Sequence, residues 1–255
     1  MKGEPFIDFA GKKVIVTGAS SGVGRAISIQ LSRCGATLIL IGRNRESLME
    51  TTASLGSGDY HIIVLDLTEH EAILPKIKEI SLQVGRIYGL CHAAGMDEIR
   101  PLSSCKAERF KPLFDINLIA GIELTRAVCR RDVMEEDGGS ILLISSIAAI
   151  VGVPGHVAYS ASKGAVSAAV RTLAIELAKR KIRVNAIAPG LIRTDMTVKA
   201  LSVLPEQQRR EVEEAHPLGI GNPEDAARAA AFLLAPQNTW ITGIDLVIDG
   251  GYTAQ

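Results

Sequence analysis

The feature that most constrains this 255-residue chain is a strand, a glycine-rich turn and a helix start placed back to back near its beginning. Lys13-Val14-Ile15-Val16-Thr17 is a short β-branched run suited to a buried strand. Thr17-Gly18-Ala19-Ser20-Ser21-Gly22-Val23-Gly24 follows at once, with glycines at 18, 22 and 24. A helix is predicted from about Gly22 to Cys34. Glycines let a backbone turn tightly and approach a pyrophosphate closely. The helix after them offers free N–H groups and a positive dipole end to an anion. A plain βα turn has the same outline; the strand–turn–helix context favours phosphate binding.

The pattern then repeats. Strands are predicted at 37–41, 61–65, 87–92, 140–145, 182–187 and 244–248. Helices are predicted from about Glu46, from Glu69 to Val84, from Ala158 to Arg180, and from Pro223 with Asn222 as its cap. A long helical region, Ser104 to Glu135, is expected to be divided by Pro112. Apolar strands alternating with helices imply an α/β domain, a doubly wound parallel sheet covered on both faces. A single domain over 1–255 is expected. Thr194 to Gly221 breaks the rhythm and reads as a small helical lid over a substrate pocket. It mixes Met196, Val198, Leu201, Val203 and Leu204 with Arg209, Arg210, Glu211, Glu213 and Glu214.

Composition excludes several classes. Hydrophobic residues make up 47% and charged residues 22%, which is globular rather than disordered. Lys+Arg and Asp+Glu are equal at 28 each, which argues against a nucleic-acid partner. Cys34, Cys91, Cys105 and Cys129 lack CxxC spacing and read as reduced thiols of a cytoplasmic protein. The histidines are scattered, so no metal is expected. Met1 to Gly11 carries acids and lacks the apolar stretch of a signal peptide. Ile141 to Ser162 has no charge, but its serines, glycines and Pro154 fit a strand, loop and helix start better than a membrane span.

Chemistry-bearing residues fall at strand ends. The second strand ends Ile41-Gly42-Arg43-Asn44-Arg45, without the acid that would accept hydrogen bonds from an adenosine ribose. Gly42 is expected to leave room there, and Arg43 can pair bidentately with a 2′-phosphate, so NADP(H) is expected over NAD(H). Tyr159-Ser160-Ala161-Ser162-Lys163 puts Tyr159 and Lys163 on one helix face. A neighbouring ammonium is expected to lower the tyrosine pKa and suit it to proton transfer. Ser146 lies 13 residues before Tyr159 at a strand end, where a hydroxyl can stabilise charge on a substrate oxygen. Ser145 competes for that role.

The glycine spacing GxxxGxG and these residues together resemble the short-chain dehydrogenase/reductase family, nearest in pattern to 3-oxoacyl-acyl-carrier-protein reductases. The resemblance covers Lys12 to Tyr252. It implies that Gly18, Ser20, Ser21, Gly22, Val23 and Gly24 surround cofactor phosphates and ribose. Asp66 resembles the adenine-contacting acid, with a helix cap as the alternative. His92-Ala93-Ala94-Gly95 stands where the family has Asn-Asn-Ala-Gly; Ala93, Ala94 and Gly95 would approach the cofactor, and His92 reads as structural. Asn117, Ser146, Tyr159 and Lys163 match the catalytic tetrad, the 13-residue spacing favouring Ser146 over Ser145. Asn117 would hold a water linking Lys163 to a proton relay. Pro189, Gly190, Ile192 and Thr194 resemble the nicotinamide-side loop, and Asp249-Gly250-Gly251 the usual family ending.

The implied reaction is hydride transfer from NADPH to a ketone held by Ser146 and Tyr159, or the reverse, with Tyr159 supplying the proton and Lys163 bonding the nicotinamide ribose. A 3-oxoacyl thioester is one candidate; another small ketone, sugar, polyketide or steroid-like alcohol is the alternative. A non-catalytic cofactor-binding regulator is a third reading. A homo-oligomer, tetramer or dimer, is implied as well. The acidic turn Glu135-Glu136-Asp137 weakens the acyl-carrier reading, because carrier proteins are acidic; Arg130, Arg131, Arg180 and Lys181 lie nearby in sequence. His156 either touches substrate or shapes its loop.

Overall fold

The computed structural model describes residues 6–56, 58–202 and 205–255. Seven parallel strands form one sheet: β1 Lys13–Thr17, β2 Thr37–Gly42, β3 Tyr60–Val64, β4 Gly89–His92, β5 Gly139–Ile144, β6 Ile182–Pro189 and β7 Asp245–Ile248. Their spatial order is β3-β2-β1-β4-β5-β6-β7. Strand order therefore reverses between β1 and β4, and the crevice at their carboxyl ends is where such sheets bind ligands.

The strands are apolar throughout because both faces are covered. In β1, Val14 and Val16 point to one face and Ile15 to the other, all fully buried. The Val14 face packs under α1 Gly22–Arg33 and α9 Pro223–Leu234, through Ile27, Leu31, Ala227 and Leu234. Between them in the chain lie α2 Arg45–Thr52, α3 His70–Val84, α4 Phe110–Phe114, α5 Ala120–Val128, α6 Val157–Leu177, α7 Asp195–Ser202 and α8 Glu206–Glu214. The Ile15 face packs under α3, α5 and α6, through Ile73, Ile77, Leu124, Val166 and Val170. Asn222 caps α9 as expected, its N–H donating to Asp225 Oδ2 at 2.8 Å.

The long helical region departs from expectation. It runs without interruption from Phe110 to Val128, with a π turn over Asp115–Ile119 between α4 and α5. Pro112 does not divide it. It is the third residue of α4, where a first-turn N–H has no intrahelical acceptor to lose. The helix also stops at Val128, short of Glu135; the chain there turns back to pair Met134 with Ile87.

Residues after β6 leave the sheet through a bridge between Ile192 and Gly221. Arg193 N donates to Gly221 O at 2.8 Å, and Gly221 N to Leu191 O at 3.1 Å. Helices α7 and α8 lie between the two sides of this seam. Val203 and Leu204 lie outside the described residues, as do the first five residues of the N-terminal segment. Val198 is exposed.

At the amino ends of the strands the acidic turn is neutralised locally. Lys12 Nζ meets Glu135 Oε2 at 2.6 Å, and Arg86 meets Glu136 at 2.8 Å. Arg130 pairs with Asp132, and Arg180 is bound to Cys129 O. All of this lies at the end of the sheet opposite Ser146. Among the described residues, no cluster of metal-ligating side chains occurs, and no helix is long and apolar enough to cross a membrane.

Candidate active site

The glycine turn is shaped by close backbone approach. Gly18 has φ of +63°, and a Cβ there would lie 2.7 Å from Ala94 N. A Cβ on Gly24 would lie 2.2 Å from Gly18 O. No other residue fits either position, and the result is a tight turn delivering the chain into the 12-residue helix α1. Two residues that sequence reading passed over brace it. Arg25 donates from Nη2 to Ser20 O at 2.5 Å and from Nε to Thr51 Oγ1 at 3.0 Å. Thr51 in turn donates to Ala19 O at 2.8 Å. The turn's carbonyls are thus occupied on the α2 side, which suits N–H groups directed at an anion.

The other cofactor candidates converge on the same crevice. Ala94 N donates to Thr17 Oγ1 at 3.1 Å, joining the 93–95 segment to the end of β1. Thr194 faces the turn, its Cγ2 3.3 Å from where a Cβ of Gly22 would stand. Ile192 is buried beneath the seam, and Gly190 packs so closely on Asp249 that a Cβ would lie 2.9 Å from its Cα. Asp249 accepts from Gly251 N and from Thr253, and Gly250 O accepts from Leu218 N, so the Asp-Gly-Gly ending holds the chain just before Gly221. Arg43 is exposed beyond β2, close enough to Asp66 to help lower its pKa. Asp66 is held down chiefly by hydrogen bonds from Thr68, N–H at 2.9 Å and hydroxyl at 2.8 Å, to one carboxylate oxygen. It does not cap α3. A Cβ on Gly42 would lie 3.2 Å from Leu48 Cδ2, so its missing side chain accommodates Leu48.

The four tetrad candidates are brought together from three elements. Lys163 is buried in α6 and donates to Ile144 O at 2.7 Å; its Nζ lies 5.7 Å from the Tyr159 ring centroid. Asn117 sits in the π turn, 2% exposed. Its Nδ2 donates to Ser162 Oγ at 2.9 Å and to Met96 O at 3.0 Å, and its Oδ1 accepts from Met96 N at 2.9 Å. Ser162 passes its own proton to Tyr159 O at 2.7 Å. Gly95 lies between Asn117 Oδ1 and Lys163 Nζ, 3.0 and 3.6 Å from its would-be Cβ. Ser145 is turned away from the crevice into α6, against Ser167 Oγ at 2.8 Å and Lys163 O at 3.3 Å. Ser146 remains at the strand end, its Oγ accepting from Ala148 N at 3.2 Å, and is close enough to Tyr159 to oppose the rise in its pKa.

One electrostatic expectation is overturned. Lys163 does not draw the Tyr159 pKa down; burial pushes it up to about 12, with the Ser146 hydrogen bond opposing and the Asp97 charge adding. Burial likewise lowers Lys163 to about 8. Near neutrality the site therefore holds a protonated phenol beside a protonated but easily neutralised amine, a state suited to giving a proton away.

His92 is structural, as read. Ile116 O can only accept, so His92 Nε2–H donates to it at 3.0 Å, and in the neutral ring Nδ1 then accepts the Thr17 hydroxyl proton at 2.9 Å. It pins the cofactor turn to the π turn that carries Asn117. Burial holds its pKa down at about 4. Two further residues had no sequence signal beyond their type. His216 Nδ1 donates to Val212 O at 2.8 Å and its Nε2 accepts from Leu191 N at 3.4 Å, tying α8 to the loop after β6. Asp97 faces His156, with Oδ2 3.3 Å from Nε2.

A crevice built this way, on this strand order, defines a nucleotide-binding oxidoreductase, and comparison with known proteins agrees. A family model described as Enoyl-(Acyl carrier protein) reductase matches residues 18–253. The chain belongs to the short-chain dehydrogenase/reductase family, is similar over most of its length to 3-oxoacyl-acyl-carrier-protein reductases, and is an oxidoreductase that uses a nicotinamide cofactor. It is 37% identical over 246 residues to the Rickettsia bellii 3-oxoacyl-acyl-carrier-protein reductase FabG, covering 96% of this chain and 98% of that protein. It is 35% identical to the Gluconobacter oxydans glucose 1-dehydrogenase, covering 98% and 95%. Among solved structures it resembles, at a TM-score of 0.89 and 32% identity, a Beutenbergia cavernae chain described as an NAD(P) dependent gluconate 5-dehydrogenase with bound NADP at low occupancy; coverage is 99% and 100%.

Proposed function

We propose that this protein reduces a ketone to a secondary alcohol, or runs the reverse reaction, with NADP(H). The observation that carries the reading is the convergence of Asn117, Ser146, Tyr159 and Lys163 at the carboxyl ends of the strands, around a phenol that keeps its proton. Bound reduced nicotinamide supplies the hydride. Backbone N–H groups from Ser20 to Gly24 hold the pyrophosphate, with Gly18 making the turn, and Ala93, Ala94 and Gly95 flank the ribose side. Pro189, Gly190, Ile192 and Thr194 line the nicotinamide end, and Asp66 the adenine end. Arg43 pairs with the 2′-phosphate, in line with the NADP of the Beutenbergia cavernae structure. Ser146 and Tyr159 hold the substrate oxygen, Tyr159 delivers its proton as the alkoxide forms, and a water held by Asn117 links Lys163 to the relay that restores it. Residues 194–221 cover the substrate. A cytoplasmic homo-oligomer, dimer or tetramer, is part of the same reading.

The test is loss of NADPH absorbance with a 3-oxoacyl thioester and with simple ketones, each repeated with NADH. Tyr159→Phe is expected to lose at least about 1,000-fold in kcat while NADPH still raises the melting temperature. Retained turnover would remove Tyr159 from its role. Equal use of NADH and NADPH would remove Arg43 from its role.

A further inference from the structure

The wall beside Tyr159 carries a carboxylate and an imidazole that the chemistry above does not use. His156, just before α6, lies edge-on to the Tyr159 ring with centroids 5.9 Å apart. Both of its ring nitrogens face acceptors: Nδ1 is 3.1 Å from Pro154 O, and Nε2 is 3.3 Å from Asp97 Oδ2. A carbonyl cannot donate, so Nδ1 carries a proton toward Pro154 O. Asp97 raises the His156 pKa, more than burial lowers it. The carboxylate is 31% exposed and the imidazole 14% exposed.

The pair is positioned by the catalytic machinery itself. Asp97 follows Met96, whose N–H and C=O are both bonded to Asn117. Its charge is felt at Tyr159 and Lys163. Arg100 N donates to Gly155 O at 2.7 Å, fastening the 97–100 segment to the loop that carries His156. Glu98, the neighbouring acid, is engaged by Arg100 at 2.8 Å and Arg109 at 3.6 Å. Asp97 is therefore left facing His156 and the site.

An alkyl chain laid against this pair would strip water from the carboxylate and return no hydrogen bond, a costly exchange. A hydroxylated chain replaces the water, donating to the open carboxylate oxygen of Asp97. Resting on the carbonyl-reductase reading, we propose that Asp97 and His156 form a specificity subsite for a hydroxyl group beside the reacting carbonyl, so that hydroxyketones and the matching polyols are the substrate class.

Acetoin and butanone share a carbon skeleton and differ by one hydroxyl beside the carbonyl. The experiment compares kcat/KM for the two with NADPH, in the native enzyme, Asp97→Leu and the near-isosteric Asp97→Asn, with NADPH-induced thermal shifts reporting that each variant is folded. The native ratio is expected to favour acetoin by about 100-fold, because a site built to bond a hydroxyl rejects the analogue without it. Asp97→Leu is expected to reduce that ratio at least tenfold, with Asp97→Asn between. A native ratio near one, or a ratio that folded Asp97→Leu leaves unmoved, overturns the subsite while leaving ketone reduction intact. No turnover of any ketone or alcohol overturns the reductase reading and the subsite with it.

Discussion

Three histidines face three different sets of partners. His92 bonds a hydroxyl and a carbonyl; His216 holds a carbonyl and an N–H; His156 faces two acceptors. The consequence for stability is sharpest at His92. Its folded pKa, about 4, lies below its ordinary 6.5, so the unfolded chain binds a proton that the folded protein refuses. Its part of the stability is complete above pH 6.5 and is lost as pH falls from there toward 4, on the order of 3 kcal/mol at the limit. Urea titrations at pH 7 and pH 5 should therefore differ by less in His92→Asn than in the native protein. Equal pH dependence in both would mean that His92 titrates normally.

At the scale of the element, the π turn at Asp115–Ile119 carries most meaning. It places Asn117 inward and leaves Ile116 O to His92. The imidazole needs space, which Gly121 supplies: a Cβ there would stand 2.9 Å from His92 Cδ2. Gly121→Ala is accordingly expected to destabilise by about 1–3 kcal/mol in spite of alanine's better helix propensity. A melting temperature at or above the native value would contradict this. The π turn itself was not legible in sequence, since nothing in Asp115-Ile116-Asn117-Leu118-Ile119 separates it from ordinary helix. The strands were legible because burial on both faces demands unbroken Val, Ile and Leu. Pro112 was misjudged because its residue type was weighed without its position in the first turn. The glycine turn was legible by spacing, and the grouping of Asn117, Ser146, Tyr159 and Lys163 through the family resemblance. Asp97, Arg25 and His216 were not, because each gains its meaning from a partner distant in sequence or from the folding of a loop.

Across the whole molecule, the two ends of the sheet are divided between chemistry and stability. The carboxyl ends carry the crevice, and the amino ends carry the paired charges around Lys12, Arg86, Glu135 and Glu136. The acidic turn is thus remote from the crevice and bears little on what enters it. Stability also rests on Arg183 of β6, buried without a carboxylate and donating to Leu233 O at 2.6 Å, Leu234 O at 3.3 Å and Ala235 O at 3.0 Å. It closes the carboxyl end of α9, whose last carbonyls have no intrahelical donor. Arg183→Leu is expected to lower stability by roughly 2–4 kcal/mol in urea unfolding, and a change below about 0.5 kcal/mol would reassign the arginine as incidental. The seam at Ile192 and Gly221 has a different kind of consequence. Because the chain departs from and returns to adjoining backbone positions, helices α7 and α8 between them can drift in length and composition, or be exchanged for a relative's, while the sheet keeps its place. On the proposed reading, in which this segment covers the substrate, what the enzyme acts on can then change along a lineage without the chemistry being rebuilt.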